Sequence, residues 1–159
     1  VGMAHLAKLL KYSEEKLEKL KQIENITVQQ KTAIDSRDFA ALNSLVEEKQ
    51  KIIDYIDWCD SAFQEELKKV KERLGVKTFE EIGEVNGRDE KKALAGIIGL
   101  IIEAIEKIQT LEKDNHQKLL ASMEQVREKL KKVRNGQKSI AVYDSGIGIA
   151  SGSFVDKKK

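Results

Sequence analysis

No proline occurs in the 159 residues, so no position forces a break in a helical hydrogen-bond ladder. Cysteine is almost missing as well. A single thiol, Cys59, cannot close a disulfide within the chain, and nothing marks an oxidising compartment. Long apolar runs are missing: a membrane helix needs roughly 18 consecutive apolar residues, and the longest block, Leu94 to Ile102, is short and interrupted by Gly96 and Gly99. The amino end lacks the basic-then-apolar pattern of a signal peptide, and Val1-Gly2-Met3 reads as two residues added ahead of a native methionine. The cytoplasm is the default location. An excess of one charge is missing too. The net charge of +2 comes from 29 basic and 27 acidic residues interspersed along the chain, which gives no electrostatic footprint for nucleic acid.

What remains is helix-forming. Charged residues make up 35% and aromatics only 5%, while Ala, Glu, Lys, Leu, Ile and Gln dominate. Unbranched side chains lose little rotamer freedom in a helix, so this composition belongs to long helices. The length suits one ordinary domain.

Hydrophobic spacing divides the chain into three long pieces. In the first, Met3 to Ile34, Leu6, Leu10, Leu17 and Leu20 step by three and four, followed more loosely by Ile23, Thr27 and Ile34. Asp35 and Asp38 are both candidate N-caps for the next helix. The break between them is short, so the second helix should turn back antiparallel. The second piece, Phe39 to Leu74, has the most regular period: Phe39, Leu42, Val46, Lys49, Ile53, Ile56, Asp60, Phe63, Leu67, Val70 and Leu74. Gly75 stands where a left-handed residue ends a helix, and Thr78-Phe79-Glu80-Glu81 reads as a capping box for one short turn. The third piece, Asp89 to about Gly136, carries Leu94, Ile98, Ile101, Ile105 and Ile108. A four-residue slip then places Leu111, Asn115, Leu119, Met123, Val126, Leu130 and Val133 on one face. The expected fold is all-α: an elongated antiparallel three-helix coiled-coil bundle over residues 1–136.

The character changes after Gly136. Ile140, Val142, Tyr143, Ile147, Ile149, Phe154 and Val155 are set among glycines and serines, too glycine-rich for a stable helix and too apolar for a solvated linker. Two accounts stand for residues 137–159: a flexible C-terminal tail that orders on a partner, or a frayed end.

Residues capable of chemistry do not assemble into a site. Gly146-Ile147-Gly148, with Gly152 beyond, lacks the strand before and helix after that a phosphate-binding loop requires. His5 and His116 have no acidic or cysteine partner at metal spacing, so no metal ligand set and no cofactor is expected. Cys59 reads as a half-buried seam residue, not an activated thiolate. No carboxylate pair stands out as acid and base, and the chain does not read as an enzyme. Two basic clusters, Lys68 to Lys77 and Lys129 to Arg134, fall at expected helix ends, where cations complement the helix dipole. Lys157, Lys158 and Lys159 are too few for membrane attachment without a lipid.

The run Asp38-Phe39-Ala40-Ala41-Leu42-Asn43-Ser44-Leu45-Val46-Glu47-Glu48-Lys49-Gln50 resembles the entry to the second helix of the FlgN family of flagellar export chaperones. Asn115-His116-Gln117-Lys118-Leu119-Leu120 is similar to that family's asparagine-then-leucine pattern, and the ending from Tyr143-Asp144 through Gly152-Ser153-Phe154-Val155-Asp156-Lys157-Lys158-Lys159 resembles its glycine-rich close. Gly96 and Gly99 are not matched to the family. The resemblance implies a cytoplasmic chaperone that binds hook-associated proteins, prevents their early assembly and delivers them to the flagellar type III export gate. In the family, the region after the third helix is implicated in substrate binding, and a tyrosine there in gate contact. Tyr143 is the position for that tyrosine. Ile140, Val142, Ile147 and Ile149, with Phe154 beyond them, are the partner-binding candidates. An amphipathic terminal helix of a substrate is a physically suitable partner for spare apolar surface on a helical protein. The rival reading is a structural coiled-coil spacer or oligomerisation protein, and a homodimer remains open under either.

Overall fold

A computed structural model describes residues 2–85 and 88–146, with side chains described in those spans except at 2–5, 83–85, 139 and 141–146. The chain is all-helical, and among the described residues no strand occurs. Among the described residues four helices follow in order: α1 (Gly2–Ser36), α2 (Phe39–Leu74), α3 (Phe79–Val85) and α4 (Arg88–Gly146). The expected three-helix count is therefore corrected, because the short turn after Thr78 forms a helix of 7 residues.

Local chemistry sets each boundary. At the end of α1, Arg37 takes a left-handed conformation, φ 57°. This lets the Arg37 N–H donate to the Ile34 carbonyl at 3.1 Å and the Asp38 N–H to the Ala33 carbonyl at 2.9 Å. Of the two candidate caps, Asp38 is the one used: its carboxylate accepts from the Ala41 N–H at 3.1 Å. Gly75, φ 66°, closes α2 by donating to the Lys71 carbonyl. The capping box before α3 is shifted by one residue, since the Glu81 carboxylate accepts from the Lys77 N–H at 3.2 Å.

The chain divides into two compact units, residues 1–115 and 116–159. In the first, α1 and α2 run antiparallel, as the pairs Glu15–Tyr55, Lys16–Asp60 and Gln30–Lys49 require. One apolar cluster joins Leu6 and Leu9 of α1, Val70 of α2, Ile82 of α3 and Leu94 of α4. A second joins Leu20 and Ile23, Ile56, and Ile101 with Ala104. The ascending numbers in α1 and α4 and descending numbers in α2 show this part of α4 running parallel to α1 and against α2. Burying each large apolar side chain contributes about 1.5–3 kcal/mol.

A polar layer follows these clusters. Lys49, buried on α2, donates from Nζ to Gln30 Oε1 of α1 at 2.6 Å and pairs with Glu112 of α4. One turn on, buried Asn115 donates from Nδ2 to the Thr27 carbonyl at 2.9 Å. Lys49 and Asn115, the polar interruptions of the heptad line, thus bond across helices. Asp60, the other interruption, pairs with Lys16 at 2.7 Å. Phe39 and Val46 were expected in the seam but are exposed, because the apolar clusters take in α2 only from Ile52 onward.

The second unit is, among the described residues, α4 alone. Its helix does not stop at Gly136 as expected but continues to Gly146. One helical glycine costs about 1 kcal/mol relative to alanine, and with no proline nearby the flanking helix formers offset it. Met123, Val126, Leu130 and Val133, expected to be buried seam residues, are exposed. A heptad seam needs a second helix to cover it, and this unit describes no other. Residues 147–159 of the expected tail lie outside the described residues.

Candidate functional site

Leu100, Ile102 and Leu120 are exposed singly on α4, but from Leu119 onward its other large exposed apolar residues form a line. Leu119, Met123, Val126, Leu130 and Val133 step by four and three, and after Gln137 the same rhythm reaches Ile140. Leu119 is half-buried; the others range from 44% exposure at Val126 to 61% at Ile140. Single exposed apolar residues are ordinary, but a contiguous heptad line of them is a candidate binding surface. On either side of it stand Arg127, Lys129 and Arg134.

Those cations are not at a helix end. The last turn of α4 lies at Gly146 and holds no basic residue, so the dipole account of Lys129 to Arg134 is overturned. The same account suits α2, whose last turn contains Lys71 and Arg73.

Of the residues assigned to partner binding, Ile140 falls in phase on the exposed line. Val142 and Tyr143 lie in the helical backbone of α4, with side chains outside the described residues. Ile147, Ile149 and Phe154 lie outside the described residues altogether. Met123, Val126, Leu130 and Val133, whose spacing predicts a seam, are surface instead. A signal was available in the sequence: the third heptad stripe runs longer than either of the two that could cover it.

Elsewhere the described side chains make a packed scaffold. Cys59 is fully buried, and burial first, then the charges of Glu15 and Asp60, push its thiol upward. The Tyr55 hydroxyl donates to Glu15 at 3.1 Å, and that bond raises the phenol above its ordinary value. Trp58 packs between Tyr12, edge-on with ring centroids 6.0 Å apart, and Tyr55, tilted with centroids 5.7 Å apart. His116 is exposed, and the His5 side chain is outside the described residues. Among the described residues, no group of three or more His, Cys, Asp or Glu could hold a metal ion, and no helix is long and apolar enough to cross a membrane.

An all-helical scaffold carrying a long uncovered heptad line is the setting for the comparison with known proteins. The model of the FlgN protein family matches residues 3–148. The chain belongs to the FlgN family. That match takes in the whole described line from Leu119 to Ile140, and it agrees with the resemblance carried by the second-helix entry. FlgN proteins are flagellar export chaperones, a family not known for enzymatic activity. No curated protein and no solved structure matches the chain.

Proposed function

We propose that this FlgN-family chain is a cytoplasmic export chaperone that binds hook-associated proteins by their amphipathic terminal helices. It keeps them unassembled and delivers them to the type III export gate. The observation that supports this reading is the exposed heptad line of α4, Leu119 to Ile140. A surface of that geometry is satisfied by one more amphipathic helix, laid along it with its own apolar residues at i, i+3, i+4 and i+7. The substrate's assembly helix is then covered while bound, which blocks its pairing with other copies. Val142, Tyr143, Ile147, Ile149 and Phe154 continue the binding region toward the C-terminus, with Tyr143 reserved for the gate.

Four or five side chains of this size, each contributing about 1.5–3 kcal/mol when fully buried, offset the cost of association and leave micromolar binding, around 8 kcal/mol. The test is calorimetry of the full chain against the terminal helices of a hook-associated protein. Leu130→Glu should weaken binding at least about tenfold with the fold intact. Binding unchanged by Leu130→Glu and Val126→Glu together would remove α4 as the binding surface.

A further inference from the structure

We infer that the α4 line selects a partner helix by charge: an amphipathic helix whose apolar seam is flanked by acidic residues, not a second copy of this chain and not a membrane. The inference rests on the helix-capture reading above and adds a selection rule to it.

With Leu119, Val126, Val133 and Ile140 at d, and Met123, Leu130 and Gln137 at a, the flanking positions follow from the sequence. Leu120, Arg127 and Arg134 stand at e; Ser122, Lys129 and Gly136 stand at g. The flanks therefore hold three cations and no carboxylate. Residues at e and g meet those of the partner across the seam and set partner choice and orientation. Helix-end electrostatics cannot account for these cations, since α4 continues to Gly146.

A second copy meets the seam with the same cations. In a parallel pair Lys129 faces Arg134 of the other chain, and in an antiparallel pair like faces like, so either arrangement sets cation against cation. A partner with Glu or Asp at its flanks makes ion pairs at the same places. Glu124 already engages Arg127 at 3.4 Å, but the pair is exposed and open to competition.

A membrane surface fits less well. Helices that lie in a bilayer interface present a broad apolar face, commonly with Trp or Phe. The α4 line is an a/d seam widened at one end by Leu120, with no aromatic residue between Leu119 and Ile140, and the acidic residues Glu124 and Glu128 share its remaining surface.

The experiment uses the full chain and two synthetic four-heptad peptides with identical Leu/Ile seams, one flanked by Glu and one by Lys. Both peptides repel themselves, so neither gains from self-pairing. Each exposed ion pair contributes about a factor of two and each like-charge contact costs a similar factor. Three positions should make the Glu peptide bind at least about tenfold tighter, with the preference falling at high salt. In the variant Arg127→Gln/Lys129→Gln/Arg134→Gln the preference should shrink below about threefold while the fold is kept. Equal binding of both peptides by the natural chain overturns the charge rule and leaves helix capture standing. A preference surviving the triple substitution overturns it as well. Binding of neither peptide overturns helix capture itself. A homodimer dissolved by Leu130→Glu, or tighter binding to phosphatidylserine-containing vesicles than to either peptide, overturns the choice of partner.

Discussion

Lys49 on α2 and Glu112 on α4 form an ion pair, and the same ammonium donates to Gln30 on α1 at 2.6 Å. One side chain therefore ties three helices together in a layer that apolar packing leaves open. Lys49→Ala should cost about 1–3 kcal/mol, because Gln30 and Glu112 lose their shared donor. Lys49→Met should cost less, since a packed apolar chain of similar length replaces the buried charge. Urea denaturation of the two variants checks the order. If alanine is the better replacement, the lysine is not a register bond.

Ile101 and Leu130 lie on the apolar stripe of one helix, on either side of its four-residue slip, but in different environments, Ile101 buried and Leu130 exposed. Ile101→Ala should cost about 2–5 kcal/mol through the cavity it leaves. Leu130→Ala should stay within about 0.5 kcal/mol of the natural chain. Paired thermal melts read this directly. A large loss at Leu130 would mean that the seam is covered in solution, by a copy or another part of the chain.

Removing everything after Gly136 should leave the first unit folded, because its clusters end at Ile108. Binding to a substrate's terminal helices should weaken, as Ile140 goes with the deleted segment while Met123 to Val133 remain. Tyr143→Ala should weaken gate docking and leave substrate binding largely unchanged. Calorimetry against each partner separates the two effects. A truncated chain that binds substrate as tightly as the full one confines the surface to Leu119 through Val133.

Cys59 should react with thiol reagents at neutral pH only as fast as the protein unfolds. Its Sγ lies 3.9 Å from the Glu15 carboxylate, and burial raises the thiol before that charge adds to it. The raised folded value fixes the sign. The stabilisation is complete below the unfolded thiol's value and is lost as pH rises toward the folded one. Tyr55 is raised in the same direction by its bond to Glu15, so Cys59→Ala should remove only part of the alkaline loss. Denaturation midpoints of the two proteins across the alkaline range supply the comparison.

Much of the fold was legible because helix formation here is local. The span of α2, Phe39 to Leu74, followed from its unbroken period and from Gly75. The cap at Asp38 was one of two candidates, and the choice fell to where Arg37 turned left-handed, which spacing alone does not reveal. The end of α4 lies ten residues beyond Gly136, because one glycine in a proline-free stretch is tolerated within a helix. The candidate surface was half legible: its residues were named, but as core.

By itself, the sequence determined that the chain is helical, where apolar residues repeat, and which polar residues interrupt them, since each depends on composition and spacing along the chain. Only the tertiary structure decided which parts of each stripe are buried. Period assigns a residue to a face, whereas burial requires another helix on that face. Leu94, Ile98, Ile101 and Ala104 of α4 share clusters with α1 and α2, while Met123, Val126, Leu130 and Val133 resume the three-and-four spacing after the slip and are exposed. That difference, which period alone does not show, separates the packed part of this FlgN-family chain from its exposed apolar line.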